Sequence, residues 1–427
     1  MLKETHRYPG VLAEDYSFEL PLDHGRPAGE KIHVFARLLT ATQKKDEDLP
    51  YLVYIQGGPG FESPRPTTRS GWIDFALNEF KVLLVDQRGT GLSTQVCDRS
   101  LAQFESPETQ AHYLSHFRAD AIVRDLEAIR CELLGEKTKW TILGQSFGGF
   151  CGLHYLSEAP EGLAAALFTG GLPPIDGHAD DVYRATYRRV LARNVAYFRR
   201  YPADAERIDE ILKELRQQAV YLPGGTHLTP FVFRQLGMRL GAPDGPEQLH
   251  YLIEGAFIEG PTGKELSYGF LSRVAALLPF DTNPIYALLH EAIYCQNSAS
   301  NWSAHRIDEA YGIMSTKPFR FTGEMVYPWM FDSYARLKPL AKAAKILAQK
   351  TDWPALYNRE RLAQNTVPCA AMIYDEDMYV ERQFSVETAE AVGHMRTWVT
   401  NEFEHNGLRV DGPRILAYLL DLVRGER

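Results

Sequence analysis

The sequence predicts an α/β fold, with a mostly parallel sheet covered by helices on both faces and interrupted by a long helical insertion. Three observations carry that expectation. Short, near-continuous apolar runs end repeatedly in glycine-rich segments, the pattern of parallel strands buried on both faces. Helical periodicity fills the gaps between them. From about residue 176 to 365 this strand-then-glycine rhythm gives way to long helical stretches, and afterwards it returns.

Taken in order, Tyr51–Ile55 is the first apolar run and ends in Gln56-Gly57-Gly58-Pro59-Gly60. Lys81–Val85 is the second and ends in Asp86-Gln-Arg-Gly-Thr-Gly91. Residues 140–143 run into Gly144-Gln-Ser-Phe-Gly-Gly149, and residues 163–168 into Gly170-Gly171. Residues 120–134 place Ala121, Ile122, Leu126, Ile129 and Leu133 on one face at the 3.6 spacing of a helix. Within the insertion, 182–200 and 205–219 read as helices, punctuated by Pro223-Gly224-Gly225 and Gly260-Pro261. Strands return at 367–374 and 395–400, and Pro413 opens a last helix running through Leu422. The chain therefore divides into an α/β core of residues 1–175 and 366–427 and a helical cap of residues 176–365. A length of 427 residues accommodates this, at roughly 150 residues per domain.

Composition narrows the function. The chain is 45% apolar and 24% charged, enough to bury a full core, which excludes disorder as the dominant state. Its 46 basic and 55 acidic residues leave a net charge of −9. Such a field has no general attraction for nucleic acid or anionic lipid and suits a small cationic substrate. The arginines of 183–190 and 198–201 interleave with aromatic residues at helical spacing, and they read as a solvated, salt-bridged helix face. The amino-terminal residues are polar, without a secretory apolar run, and no stretch reaches the length of a membrane span. Five cysteines without a Cys-x-x-Cys pair read as reduced packing residues of a cytoplasmic protein. No His-Glu-x-x-His stands among the thirteen histidines, so neither a metal nor another cofactor is expected. A homo-oligomer is left open.

The chemistry concentrates after the glycine-rich turns. Gly144-Gln145-Ser146-Phe147-Gly148 fits the G-x-S-x-G nucleophile elbow, with a strand before it and a helix after it. That turn lifts the Ser146 hydroxyl clear of the sheet at a helix N-terminus, where amides and dipole favour developing negative charge. Gly57-Gly58-Pro59-Gly60 follows an earlier strand, so the Gly58 N–H, with that of Phe147, can form an oxyanion hole. A serine nucleophile needs a base, and the base needs an orienting carboxylate, in the chain order Ser, acid, His. The strand ending at Tyr374 delivers Asp375-Glu376-Asp377, and the strand ending near Thr400 delivers Glu404-His405. His394 precedes its strand and so lies at the wrong end of the sheet, which selects His405. Asp377 is preferred to Asp375.

These residues give the sequence its family. It resembles the prolyl aminopeptidases, or proline iminopeptidases, serine peptidases of the α/β-hydrolase fold, and is similar to their longer bacterial subgroup over nearly the whole chain. The resemblance rests on Gly57-Gly-Pro-Gly60, Asp86-Gln-Arg-Gly-Thr-Gly-Leu-Ser93, the Ser146 elbow, Asp377-Met-Tyr-Val380 and Glu404-His405. Gln56 stands where many relatives have histidine, a change that leaves the backbone donors intact. The resemblance implies a helical cap inserted between strands 6 and 7. It also implies a Ser146, His405, Asp377 triad and release of N-terminal proline from small peptides. In that family, cap carboxylates bind the free α-amine. The blocks 289–294 and 322–328 look like the corresponding stretches, so Glu291 and Glu324 are the candidates, with Glu291 ranked first. Phe147, Tyr294, Trp302 and Trp329 are aromatic candidates for packing on a pyrrolidine ring. Rival readings on the same fold are a tripeptide-releasing aminopeptidase, an esterase or amidase, and a catalytically inactive binder. Intact Ser146, His405 and Asp377 argue against the last.

Overall fold

The computed structural model describes residues 1–261, 263–312 and 317–427. Its main sheet begins with β1 (Leu2–Tyr8), β2 (Val11–Pro21) and β3 (Lys31–Ala41). β4 (Tyr51–Ile55), β5 (Lys81–Val85), β6 (Trp140–Gln145) and β7 (Leu163–Thr169) follow. β8 (Phe257–Gly260) and β9 (Gly263–Leu266) form a separate antiparallel hairpin, and β10 (Cys369–Tyr374) and β11 (Met395–Thr400) complete the main sheet. Its order is β1-β2-β3-β5-β4-β6-β7-β10-β11. Every pairing from β5 to β11 is parallel, whereas β1, β2 and β3 attach antiparallel to the β5 side.

The antiparallel start departs from the sequence expectation, which took its first strand at Tyr51. β1 is an edge strand with no buried residue, so it carries no alternation to read. β2 does alternate, but one of its inward positions is Asp15, bonded by the Arg37 guanidinium at 2.6 and 2.7 Å. The extra edge strand also shifts the count. The insertion expected between strands 6 and 7 lies between the seventh and eighth strands of the nine-stranded sheet. The insertion, expected to be mostly helical, also contains the β8–β9 hairpin.

Successive residues of the central strands point to opposite faces, and each face meets its own core. Val53, Ile55, Leu83 and Ile142 pack with the helices Ala119–Leu134 and Phe147–Glu158. Leu52, Tyr54, Val82, Leu84 and Leu143 pack with Gly71–Ala76 and Gly412–Arg424. Each fully buried side chain of this size contributes roughly 1.5–3 kcal/mol, so the sheet is the rigid base on which the loops stand. Between β7 and β10 the chain leaves the sheet, beginning with the helices Ala179–Arg200 and Asp204–Gln217. Cys151, Cys295 and Cys369 are buried and all five cysteines are free thiols. Among the described residues no helix is long and apolar enough to cross a membrane.

Candidate active site

Four loops at the carboxyl ends of parallel strands converge, as sites do in such sheets. Ser146 follows β6 and caps the helix Phe147–Glu158, with φ 56° and ψ −125°. A non-glycine residue in this region is strained by the order of 1–3 kcal/mol and is held there by its surroundings. Here the holding contacts are visible. The Ser146 N–H donates to Thr169 O at 2.9 Å, and Ser146 O accepts from the Gly149 N–H at 2.7 Å. A Cβ on Gly148 would sit 1.9 Å from Ile55 O, and one on Gly144 would sit 2.5 Å from Gly148 O. Gly148 is therefore demanded by the close approach of β4 to the turn, and Gly144 by the backbone of the helix that the turn opens.

His405 bridges the other two groups. Its Nε2 lies 2.9 Å from Ser146 Oγ, and its Nδ1 lies 2.7 Å from Asp377 Oδ2. The second oxygen of Asp377 accepts from the N–H groups of Tyr379 at 2.8 Å and Val380 at 3.1 Å. Asp377 is thereby fixed and nearly inaccessible, at 1% exposure, while Ser146 is 8% exposed. Asp375, two residues earlier, faces Arg382 at 2.8 Å. His394 sits before β11, its carbonyl accepting from the Cys369 N–H. Burial pushes the His405 imidazole down, but the Asp377 charge and hydrogen bond, aided by Glu324, outweigh it and hold it above its ordinary value.

The glycine-rich loop after β4 lies against the serine, because a Cβ on Gly57 would meet Ser146 Cβ at 3.0 Å. Phe147 is the first residue of its helix, so its N–H has no intrahelical acceptor. Gln56 accepts from the Tyr54 hydroxyl at 2.7 Å, and its carbonyl accepts from Gln87 Nε2 at 2.8 Å. The block beginning at Asp86 serves as scaffolding. Asp86 accepts from the N–H groups of Ser63 and Leu92 and from Arg65. Arg88, 1% exposed, pairs with Asp125 and donates to the carbonyls of Leu22 and His116.

The two cap glutamates are placed differently. Glu291 is buried and caps the helix Ser303–Tyr311, accepting from the N–H groups of Ser303 at 3.1 Å and Ala304 at 2.9 Å. Burial raises its carboxyl above the ordinary range although these amides oppose the shift. Glu324 is close enough to act electrostatically on His405, Tyr294 and Tyr379. The Tyr286 hydroxyl donates to its Oε1, and His290 Nε2 stands 4.0 Å from its Oε2. Glu291, ranked first from the sequence, is thus engaged by helix amides, whereas Glu324 is the one that acts on the His405 imidazole. Both carboxylates also act on Tyr183, whose buried hydroxyl has no partner among the described residues. Of the aromatic candidates, Tyr294 packs on Phe150, the neighbour of Phe147 in the helix that follows Ser146. Trp329 instead stacks on Tyr327, and Trp302 leans on Phe331.

Several residues at the site carried no separate signal. Tyr379 tilts against the His405 ring at 4.6 Å and its hydroxyl donates to Met238 O in the cap. Arg193 donates to Glu376 O at 3.0 Å and to the Glu404 carboxylate, and Arg189 pairs with Glu381. The arginines read as a solvated face are therefore of two kinds. Arg184, Arg188, Arg199 and Arg200 are exposed, while Arg189 is half-buried; with Arg193, which lies outside that run, it joins the cap to the loops carrying Asp377 and His405. Among the described residues, no group of three or more His, Cys, Asp or Glu side chains is arranged to hold a metal ion.

The family described as alpha/beta hydrolase fold matches residues 50–221. A proline iminopeptidase of Aeromonas sobria is 49% identical over 97% of this chain and 97% of its own. Proline iminopeptidase aneH of Aspergillus aculeatus is 33% identical over 98% of this chain and 95% of its own. The solved proline iminopeptidase of Mycobacterium smegmatis aligns with 96% of this chain and all of its own, at 14% identity and a TM-score of 0.44. The near-complete alignments to the first two relatives span both the elbow and the cap, and on that ground the chain belongs to the proline iminopeptidase family of the α/β-hydrolase fold.

Proposed function

We propose that this protein is a serine exopeptidase that releases N-terminal proline from small peptides through an acyl-enzyme, with Ser146, His405 and Asp377 as its triad. The observation that carries the reading is the chain of contacts from Asp377 through His405 to Ser146, with the Glu324 carboxylate acting on the same imidazole. A desolvated ammonium needs a paired anion. Glu324 supplies it, with Glu291 as the second carboxylate beside Tyr183.

His405 Nε2 takes the proton of Ser146 Oγ as that oxygen attacks the carbonyl carbon of the N-terminal proline. The N–H groups of Phe147 and Gly58 hold the oxyanion. His405 then gives its proton to the leaving peptide nitrogen as the C–N bond breaks. Water attacks the proline ester of Ser146, loses a proton to His405, and free proline and the hydroxyl are restored. Asp377 holds the imidazole in the tautomer that presents an unprotonated Nε2 to the serine. The helical cap, residues 176–365, is the recognition unit in this scheme, and the remainder is the catalytic core.

The test compares kcat/KM on proline β-naphthylamide, its N-acetylated form and alanine β-naphthylamide, with Ser146→Ala as the blank. Strong preference for free-amine proline, absent from the blank, is expected. Equal turnover of acetylated and free substrates would leave a general esterase or amidase. Absence of Ser146-dependent turnover would remove the triad assignment.

A further inference from the structure

The short cap helix Pro284–Leu289 touches both halves of the proposed site. On one side it meets the glycine-rich loop. Asn283, its N-terminal flanking residue, donates from Nδ2 to Gly60 O at 2.9 Å. Gly60 has φ +92°, and a Cβ there would lie 2.8 Å from Ile285 Cβ and 3.0 Å from the Tyr286 nitrogen. The Phe61 ring meets the Tyr286 ring edge-on at 5.0 Å. Loop and helix are therefore in van der Waals contact, and the loop's last carbonyl is held by a side chain of the cap.

On the other side the same Tyr286 reaches the amine clamp. Its hydroxyl donates to Glu324 Oε1. The ring is 5% exposed and stacks on Phe280 at 5.3 Å and 12°, so its hydroxyl cannot swing away without disturbing the packing. His290, one turn along, turns its edge to the Tyr286 ring at 5.4 Å. A hydrogen bond to a carboxylate from a buried, pre-oriented donor fixes the direction of the remaining lone pairs.

We propose that Tyr286 and Asn283 are positioning residues that couple amine recognition at Glu324 to the geometry of the loop Gly57–Gly60. Tyr286 aims Glu324 at the substrate ammonium, Asn283 holds the loop that supplies the Gly58 N–H, and the helix between them makes the two adjustments one. A substrate amine seated on Glu324 steadies Tyr286, and through the Phe61 and Gly60 contacts it steadies the oxyanion donor. The inference rests on the peptidase reading above, and it explains how a group that takes no part in bond breaking raises the rate of bond breaking.

The experiment uses the full-length protein and two substrates with one leaving group, proline β-naphthylamide and cyclopentanecarboxylic acid β-naphthylamide, which lacks the amine. Tyr286→Phe keeps the ring and removes only the hydroxyl. It is expected to lower kcat/KM on the proline substrate about 10- to 100-fold, the scale of a misplacement near one ångström. Turnover of the amine-free substrate should stay within about threefold of wild type. In a Glu324→Gln background the same change should have no further effect. Asn283→Ala should lower kcat on both substrates. The double variant Tyr286→Phe/Asn283→Ala should lose less on proline than the product of the single losses, by about threefold or more.

Equal losses on both substrates for Tyr286→Phe, with an unchanged melting temperature, would overturn the proposal, as would strict multiplication of the two single effects. If wild-type protein itself turns over the two substrates equally, the amine reading fails and the coupling falls with it. Preference in the wild type that survives Tyr286→Phe sinks the coupling alone.

Discussion

His405 is where burial and charge oppose each other most directly. Burial alone would make the imidazole a weaker base, yet the Asp377 charge, its hydrogen bond and Glu324 together hold the group above its ordinary value. A general base must be neutral to act, so kcat/KM falls as pH drops through this raised value and is regained above it. Glu324→Gln removes one of the raising charges. The acidic limb of the kcat/KM profile should then move to lower pH, read on an amine-free ester so that lost amine binding does not enter. An unmoved limb, or one moved upward, would mean that Glu324 does not act on this imidazole. At this scale the sequence was most legible around Ser146, because the elbow needs glycines at fixed offsets and those offsets are local. The Tyr286–Glu324 bond joins residues 38 apart in the chain, and neither residue type announces it. Glu291 and Glu324 could both be nominated as candidates, but not their surroundings: Glu291 accepts amides of a helix that begins twelve residues later.

Among elements, the helix Ala179–Arg200 does more than cover the sheet. Its Arg193 bonds to the carbonyl of Glu376 and the carboxylate of Glu404, the residues that immediately precede Asp377 and His405. One guanidinium thus ties together the two loops that must stay in register for the relay to form. Arg193→Ala should lower kcat by roughly tenfold on amine-bearing and amine-free substrates alike, with KM little changed, since loosened orientation affects the chemical step. A rise in KM at constant kcat would show instead that Arg193 helps to bind substrate. The helix itself was readable from its periodicity, and so were β4 to β7, each a continuous apolar run closing in glycine. Which arginines face solvent was not readable, because helical spacing fixes a face without saying what lies opposite. β1 escaped notice for a related reason: an edge strand that buries nothing has no pattern to offer.

At the scale of the molecule, core and cap are joined by buried polar contacts as well as apolar packing. Arg118, at the start of a core helix and 1% exposed, donates to the carbonyls of Ala292, Cys295 and Pro354 and lies over the Trp353 ring at 4.6 Å. The first two carbonyls belong to the turn that follows Glu291. Arg118→Met would leave these acceptors buried and unpaired, at a cost of about 3 kcal/mol. Urea denaturation should register the loss, and free-amine preference should decline with it; unchanged stability would mean that the turn is held by packing alone. The joints between the sheet-bearing part and the insertion could not be read from the sequence, since these contacts are made across more than a hundred residues. The low exposure of Ser146, at 8%, reaches beyond the reaction itself. A serine so secluded is screened from the broad surface of a folded protein and is better suited to a slender chain end.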